Sequence, residues 1–467
     1  MGLEEGENGD ETLTLLAKLQ NEPDASDEHI TRTGTLGGAV AHIITAVIGS
    51  GILSLSWSVA QLGWIAGPAT MICFAAITLL QSTLLADCYR SPDPEYGPIR
   101  NRSYMGAVRL ILGARSMWIS AIFQQVCLYS ASVAYIITAS SSISAIERSI
   151  CYQREGISDP CSKGDNFPML MFGLVQIIFS QITDFHNMQW LSIVAAIMSF
   201  SYSIIGITLV VAKAIGNGVI KGGITGVSAP STSQKMWRIS QAIGDIAFAY
   251  PYSVILLEVQ NTLKSPPPEN QTMKKASTVS ITIVTLFYLC CGCFGYAAFG
   301  EDTPGNLLTG FGVSHPNRLV DFANACIVLH LVGGYQMFSQ SIFGDADRWF
   351  ARRFLSSSFH GVHLPFQPAA WRSKLFRICF RTLYVVSTTG VAMAFPYFNQ
   401  VLALCGSFGF WPLAIYFPVE MYLVQRKIVP WTSKWVLLQL FSSVCLLLSI
   451  FALVGSIEGL LSHSTFK

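Results

Sequence analysis

Charge is what this chain of 467 residues has least of: Asp, Glu, Lys and Arg make up 12% of it, about half the share in a soluble domain. Stretches that begin at Leu36 and recur almost to the C-terminus carry almost none. Other signatures are missing as well. No nucleophile–base pair, metal-ligand spacing or phosphate loop is legible, so an enzyme is not expected and no cofactor is called for. The glycine-rich stretch from Gly216 to Gly226 matches no nucleotide-binding fingerprint. No basic patch interleaves with aromatics, and a formal net charge of +2 gives no reason to expect nucleic acid as a partner. The first 33 residues lack the apolar core of a cleavable signal peptide and set nine acids against Lys18 and Arg32. They read as a disordered, acidic cytosolic tail.

Apolar residues fill the gap. They make up 51% of the chain, and mean hydropathy is +0.47. The apolar runs are continuous rather than alternating, which excludes a β-barrel and leaves helices as the only way to satisfy backbone polar groups in lipid. The expected fold is an all-α polytopic membrane protein with about eleven crossings of a 30 Å hydrocarbon layer. They are placed at 36–61, 64–86, 117–146, 168–184, 189–212, 241–257, 276–299, 319–343, 382–394, 398–423 and 435–457. Residues 34–467 then form a single membrane domain.

Placing the N-terminus in the cytosol puts 20 of the 29 Lys and Arg residues on the inner side, as the positive-inside rule requires. The C-terminus then lies outside. Of the 12 cysteines, most sit in spans as small packing residues. Cys151 and Cys161 instead fall in a polar outer loop at 147–167, where a disulfide between them can persist. The Asn-x-Ser/Thr sequons at Asn101 and Asn270 fall on the cytosolic side and are expected to carry no sugar.

Two spans break helix rules. The first holds Gly49-Ser50-Gly51 at its middle, a poor helix segment that permits unwinding. The sixth holds Pro251, which removes a helical hydrogen bond. They are five spans apart, the spacing of two inverted repeats (about 36–212 and 241–423) meeting at a central site. Exposed half-helix N-termini suit a substrate carboxylate, and freed carbonyls or an acid suit an ammonium, so a zwitterionic amino acid matches both. The candidate binding residues are Gly49, Ser50, Gly51, Ala247, Tyr250 and Tyr252. Asp245, the one carboxylate well inside a span, is the candidate for coupling to a cation or proton. The alternative is a hydrogen bond that orders the bundle. His42 and His330 also lie in spans and could exchange protons near neutral pH, or simply make one structural hydrogen bond. Asp87, Asp184, Glu258 and Glu420 sit at span ends, where snorkelling to the interface is the default.

The residues also carry a family likeness. Arg32-Thr33-Gly34-Thr35, His42, Gly49-Ser50-Gly51 and Ala60-Gln61-Leu62-Gly63-Trp64 closely resemble the plant amino acid permeases of the amino acid/auxin permease superfamily. So do Asp87-Cys88-Tyr89-Arg90, Gln189-Trp190-Leu191-Ser192, Gly244-Asp245-Ile246-Ala247-Phe248-Ala249-Tyr250 and Phe395-Pro396-Tyr397-Phe398-Asn399. The resemblance implies a proton-coupled amino acid symporter at the plasma membrane, with a fold similar to the sodium-coupled leucine transporter. It also implies coupling at Asp245 and a family place for His42 and His330. Pro251 and the run Val259-Gln260-Asn261-Thr262 depart from the family pattern. A proline that stiffens a gating element would suit an amino acid sensor without net transport, and a carrier of another small carboxylate such as auxin is a third reading.

Overall fold

Helices begin where the sequence supplies caps. Thr35 Oγ1 accepts from the Gly38 N–H at 3.2 Å and opens α1 (Leu36–Val47). Ser103 does the same for α3 (Tyr104–Leu112) and Ser231 for α7 (Thr232–Ala249), each satisfying an N–H that a helix start leaves free. Between α1 and α3 lie α2 (Leu55–Asp87) and a short ribbon of β1 (Arg90–Ser91) against β2 (Ile99–Arg100). Then follow α4 (Ala114–Glu155), α5 (Asn166–Ser180), α6 (Gln189–Gly216) and, after α7, α8 (Ser253–Asn261) and α9 (Glu269–Phe299). The remainder is α10 (Arg318–Phe350), α11 (Ala369–Ala394), α12 (Phe398–Gly409), α13 (Phe417–Gln425) and α14 (Ser433–Thr465). The computed structural model describes residues 32–155, 164, 166–182, 189–311, 317–350 and 369–465. Nearly all of the expected acidic tail, and Asp184, lie outside them.

The bundle is inside-out relative to a soluble protein. Ser54, Ser56 and Ser58 are fully buried, while Ile72, Leu286 and Leu447 are more than half exposed. Among the described residues, eight helical stretches are long and apolar enough to cross a membrane. The sequence reading has three more. Two of these, α1 and α5, are apolar but short, and the third, α11, carries Arg372, Lys374, Arg377 and Arg381 in its first half. The helix α2 contains one residue outside helical geometry, Gly63 at φ +87°. Glycine alone adopts that backbone cheaply, and the carbonyl of Ile224 lies where a Cβ would stand. Gly63 therefore divides the first expected span from the second. Elsewhere helices outrun the expected spans: α9 starts at Glu269 rather than 276, directly after Pro268 at its N-cap.

Packing converges on the broken helices. α2 lies along α9, α10 packs on both α4 and α6, and α12 and α14 flank α7. A Cβ on Gly244 would come within 2.7 Å of the Ala403 carbonyl, so glycine is what lets α12 approach α7.

Candidate functional site

The first break runs from Ile48 to Ser54. α1 ends at Val47, Gly49 is extended (φ −125°, ψ −152°), and Ser50–Leu53 forms one short 3-10 turn before α2. The second break is Tyr250–Tyr252, between α7 and α8. Pro251 lies inside this gap, where it removes no helical hydrogen bond. The two breaks touch: a Cβ on Gly51 would stand 3.1 Å from the Ala249 Cα. They also run antiparallel. Residue 34 pairs with 262–264 at one end, and Lys235 Nζ donates to the Gln61 carbonyl at the other.

A helix that stops in the membrane leaves carbonyls without partners. Here one side chain serves both breaks. The Tyr288 hydroxyl on α9 lies 2.7 Å from the Val47 carbonyl and 3.0 Å from that of Ala249, so its proton is shared between them. Its ring packs edge-on against Tyr250 with centroids 5.2 Å apart.

Asp245 stands one turn before the second break and is fully buried. Its Oδ2 accepts from Asn399 Nδ2 on α12 at 3.1 Å and from Ser58 Oγ on α2 at 3.4 Å. Its Oδ1 has no hydrogen-bond partner. Neither partner is a cation. The carboxylate thus joins three helices while keeping one oxygen free to take a proton or an ammonium.

His330, on α10, reaches the first break. Its Nδ1 sits 2.8 Å from the Ala195 carbonyl; the carbonyl can only accept, so Nδ1 carries a proton. Its Nε2 is buried without a partner, 3.9 Å from where a Cβ on Gly49 would be. Tyr135 and Tyr202 flank the ring at 6.5 and 5.7 Å. Ser50 Oγ and the Tyr250 and Tyr202 hydroxyls are likewise buried without partners.

Not every predicted residue joins this cluster. His42 is exposed on α1, off the stripe of Ala39, Ile43, Ile44 and Val47 that α1 buries. Tyr252 is buried, but its hydroxyl donates to Ser82 Oγ at 3.0 Å. Ala247 is buried and brings no polar side chain. Cys151 is disulfide-bonded, and Cys161 lies outside the described residues. Sequence reasoning gave no role to Tyr288, Ser58 or Asn399. Thr282, Thr285 and Tyr288 all bring hydroxyls to the apolar run of α9, and nothing local singles out Tyr288.

The two ends of the site differ. At the Arg32 end, the fully buried Glu269 side chain takes two hydrogen bonds from Arg90 (2.8 and 2.7 Å) and lies 3.3 Å from Arg100. These bonds push the Arg90 guanidinium up from its ordinary value, keeping the pair ionised at physiological pH. Asp87 is paired with Lys274 at 2.6 Å and Arg426 at 3.3 Å, and accepts from Asn270 Nδ2. It is 5% exposed; the snorkelling expected at a span end gives way to these partners. Both sequon side chains are buried, with Asn101 Nδ2 donating to the Cys88 carbonyl, so neither amide nitrogen is free for a sugar. Arg32 donates to the Asn261 carbonyl and Oδ1, and Tyr89 donates to the same Oδ1 at 2.9 Å. At the opposite end a cavity of about 500 Å³ opens, lined among others by Trp57, Gln61, Trp237, Arg238, Gln241 and Glu458.

Comparison with known proteins agrees with this architecture. A family model described as transmembrane amino acid transporter protein matches residues 32–462. Probable amino acid permease 7 of Arabidopsis thaliana is 55% identical over 441 residues, covering 93% of this chain and 94% of that protein. Amino acid permease 2 of the same plant is 50% identical over 442 residues, covering 93% and 89%. Among solved structures, the inward-facing conformation of Mhp1 superposes with a TM-score of 0.55 at 13% identity, covering 91% of this chain and 89% of that one. That likeness concerns the fold, a leucine-transporter-like bundle around two broken helices. On these matches the chain belongs to the plant amino acid permease family of transmembrane amino acid transporters.

Proposed function

We propose that the protein imports amino acids across the plasma membrane by proton symport, through alternating access around the two breaks. The observation that carries this reading is Asp245: a fully buried carboxylate one turn before the second break, held by two neutral donors, with Oδ1 unpartnered. Such a group is costly in a membrane unless function needs it. A proton at Oδ1 removes the buried charge and leaves a hydroxyl able to donate to a substrate. The half-helix N-terminus at Ser50–Leu53 offers N–H groups to the substrate carboxylate. His330 Nε2, unpartnered beside Gly49, is the second group placed to exchange a proton there. Proton and substrate drive the cycle together when each tightens binding of the other. The relatives' names as amino acid permeases support the cargo. Eleven crossings, a cytosolic N-terminus and an extracellular C-terminus place the ion-paired end inside and the cavity outside, following the distribution of Lys and Arg.

The test is amino acid-evoked current under voltage clamp in oocytes, at about pH 5.5 and about pH 7.5, with and without sodium. Inward current that grows with acidity and ignores sodium is expected, and Asp245→Asn at normal surface level should abolish its growth with acidity. Sodium dependence, or an unchanged pH response in Asp245→Asn, would sink proton coupling at this residue.

A further inference from the structure

We infer that the cavity at the Glu458 end is a second binding site for amino acid, holding the substrate before it reaches Asp245. This rests on the transport reading above. The volume, about 500 Å³, falls in the range of small-molecule sites. Its lining supplies what a zwitterion needs. Arg238 of α7 and Glu458 of α14 both face it, and neither has an ion-pair partner among the described residues. The indoles of Trp57 and Trp237 form apolar wall. Gln61 is 4% exposed and its Oε1 has no partner.

Position separates this site from the central one. Arg238, Gln241 and Asp245 are spaced by three and four residues, so they line one face of α7. Seven residues of helix put Arg238 about 10 Å along the axis from Asp245. An amino acid whose carboxylate is on Arg238 is therefore held about two turns of α7 from Asp245. Gln241 stands between them, 5% exposed with its Nε2 donating to the Gly455 carbonyl of α14 at 3.2 Å, a contact that must open before the substrate can pass. The other charges nearby are engaged: Lys235 Nζ donates to the carbonyls of Gln61 and Val227 at 2.8 and 2.6 Å, and Glu301, exposed at the rim, accepts from Ser228 at 3.1 Å. That leaves Arg238 for the substrate carboxylate and Glu458 for its ammonium.

The experiment compares alanine-evoked currents of the full-length chain with those of Arg238→Gln, Glu458→Gln and Glu301→Gln, at matched surface level and saturating acidity. Arg238→Gln and Glu458→Gln should each raise apparent KM about three- to fivefold, the scale of a part-exposed charge contact. Maximal current should change less than about twofold, Glu301→Gln should stay near wild type, and Arg238→Lys should recover most of the loss. The charge-preserving Arg238→Lys and Glu458→Asp separate binding from folding if the amide variants fail to reach the surface. An unchanged KM in both amide variants overturns the second site and leaves the transport reading intact, as does a fall in maximal current with KM unmoved. No current from the wild-type chain with any amino acid would remove both.

Discussion

At the Arg32 end each buried carboxylate has more than one cation: Glu269 lies against Arg90 and Arg100, and Asp87 against Lys274 and Arg426. At the opposite end Arg238 and Glu458 face a cavity and pair with no described residue. The same helices, α2 and α7–α8, run through both ends, so the contrast is not one of composition. Charges that are mutually satisfied hold backbones together and exclude water; charges left single around a cavity wait for a ligand to pair with. On the alternating-access reading proposed above, the ion-paired end is the shut one, and these pairs are what its opening must disrupt.

The most severe way to break the contrast is to remove Glu269. Its side chain is fully buried, and losing one member of a buried ion pair costs up to about 3–5 kcal/mol, because Arg90, its side chain 11% exposed, keeps only the Gly97 carbonyl. Glu269→Ala should therefore lower the unfolding temperature of the detergent-solubilised protein more than any single change at the cavity end. A thiol introduced near Asn261 should also become more reactive to aqueous reagents. Wild-type melting in Glu269→Ala would mean that this pair does not hold the end closed. Tyr288→Phe comes next. It removes the hydroxyl shared by the carbonyls of Val47 and Ala249; Val47 keeps the Gly49 N–H at 2.9 Å, and the Ala249 carbonyl is left unmade at about 1–3 kcal/mol. Both breaks loosen together, so maximal uptake should fall about tenfold while the ranking of amino acids is kept. A changed ranking would place Tyr288 on the substrate instead.

Much of this is legible in the amino-acid sequence alone. Gly49-Ser50-Gly51 and Pro251 mark the two breaks because glycine and proline act on their own backbone, and Asp245 stands out because a carboxylate inside an apolar run has no local explanation. What escaped is what depends on distant partners. Asn399 and Ser58 meet Asp245 across 154 and 187 residues of sequence, and no local pattern announces such a meeting. Asp87 and Glu269 look like span-end residues, and only their pairing across 179 and more residues with Arg90, Lys274 and Arg426 turns them into buried locks. His42 shows the opposite error of scale: its position off the apolar stripe of α1 could have been read from helical periodicity alone.

The gentlest and most discriminating change acts on the seam itself. Arg32 reaches α8 through the carbonyl and side-chain oxygen of Asn261, at 3.1 and 3.2 Å, and both ends of that contact are part-buried. Asn261 is neutral, so the guanidinium is held by hydrogen bonds without a full counter-charge. Asn261→Asp supplies one at almost the same shape. A hydrogen bond between two ionised groups is roughly twice as strong as a neutral one, but an exposed ion pair contributes only about 0.2–1 kcal/mol. The gain should therefore be small and should fall on the closed state alone. Opening at this end then slows, lowering maximal current by about two- to fivefold, with apparent KM little changed because the binding residues are untouched. Arg32→Gln in the Asn261→Asp background should restore the rate. If instead Asn261→Asp alters KM and leaves the maximal current unmoved, Arg32 and Asn261 are not part of what must separate, and the shut end is held by Glu269 and Asp87 alone.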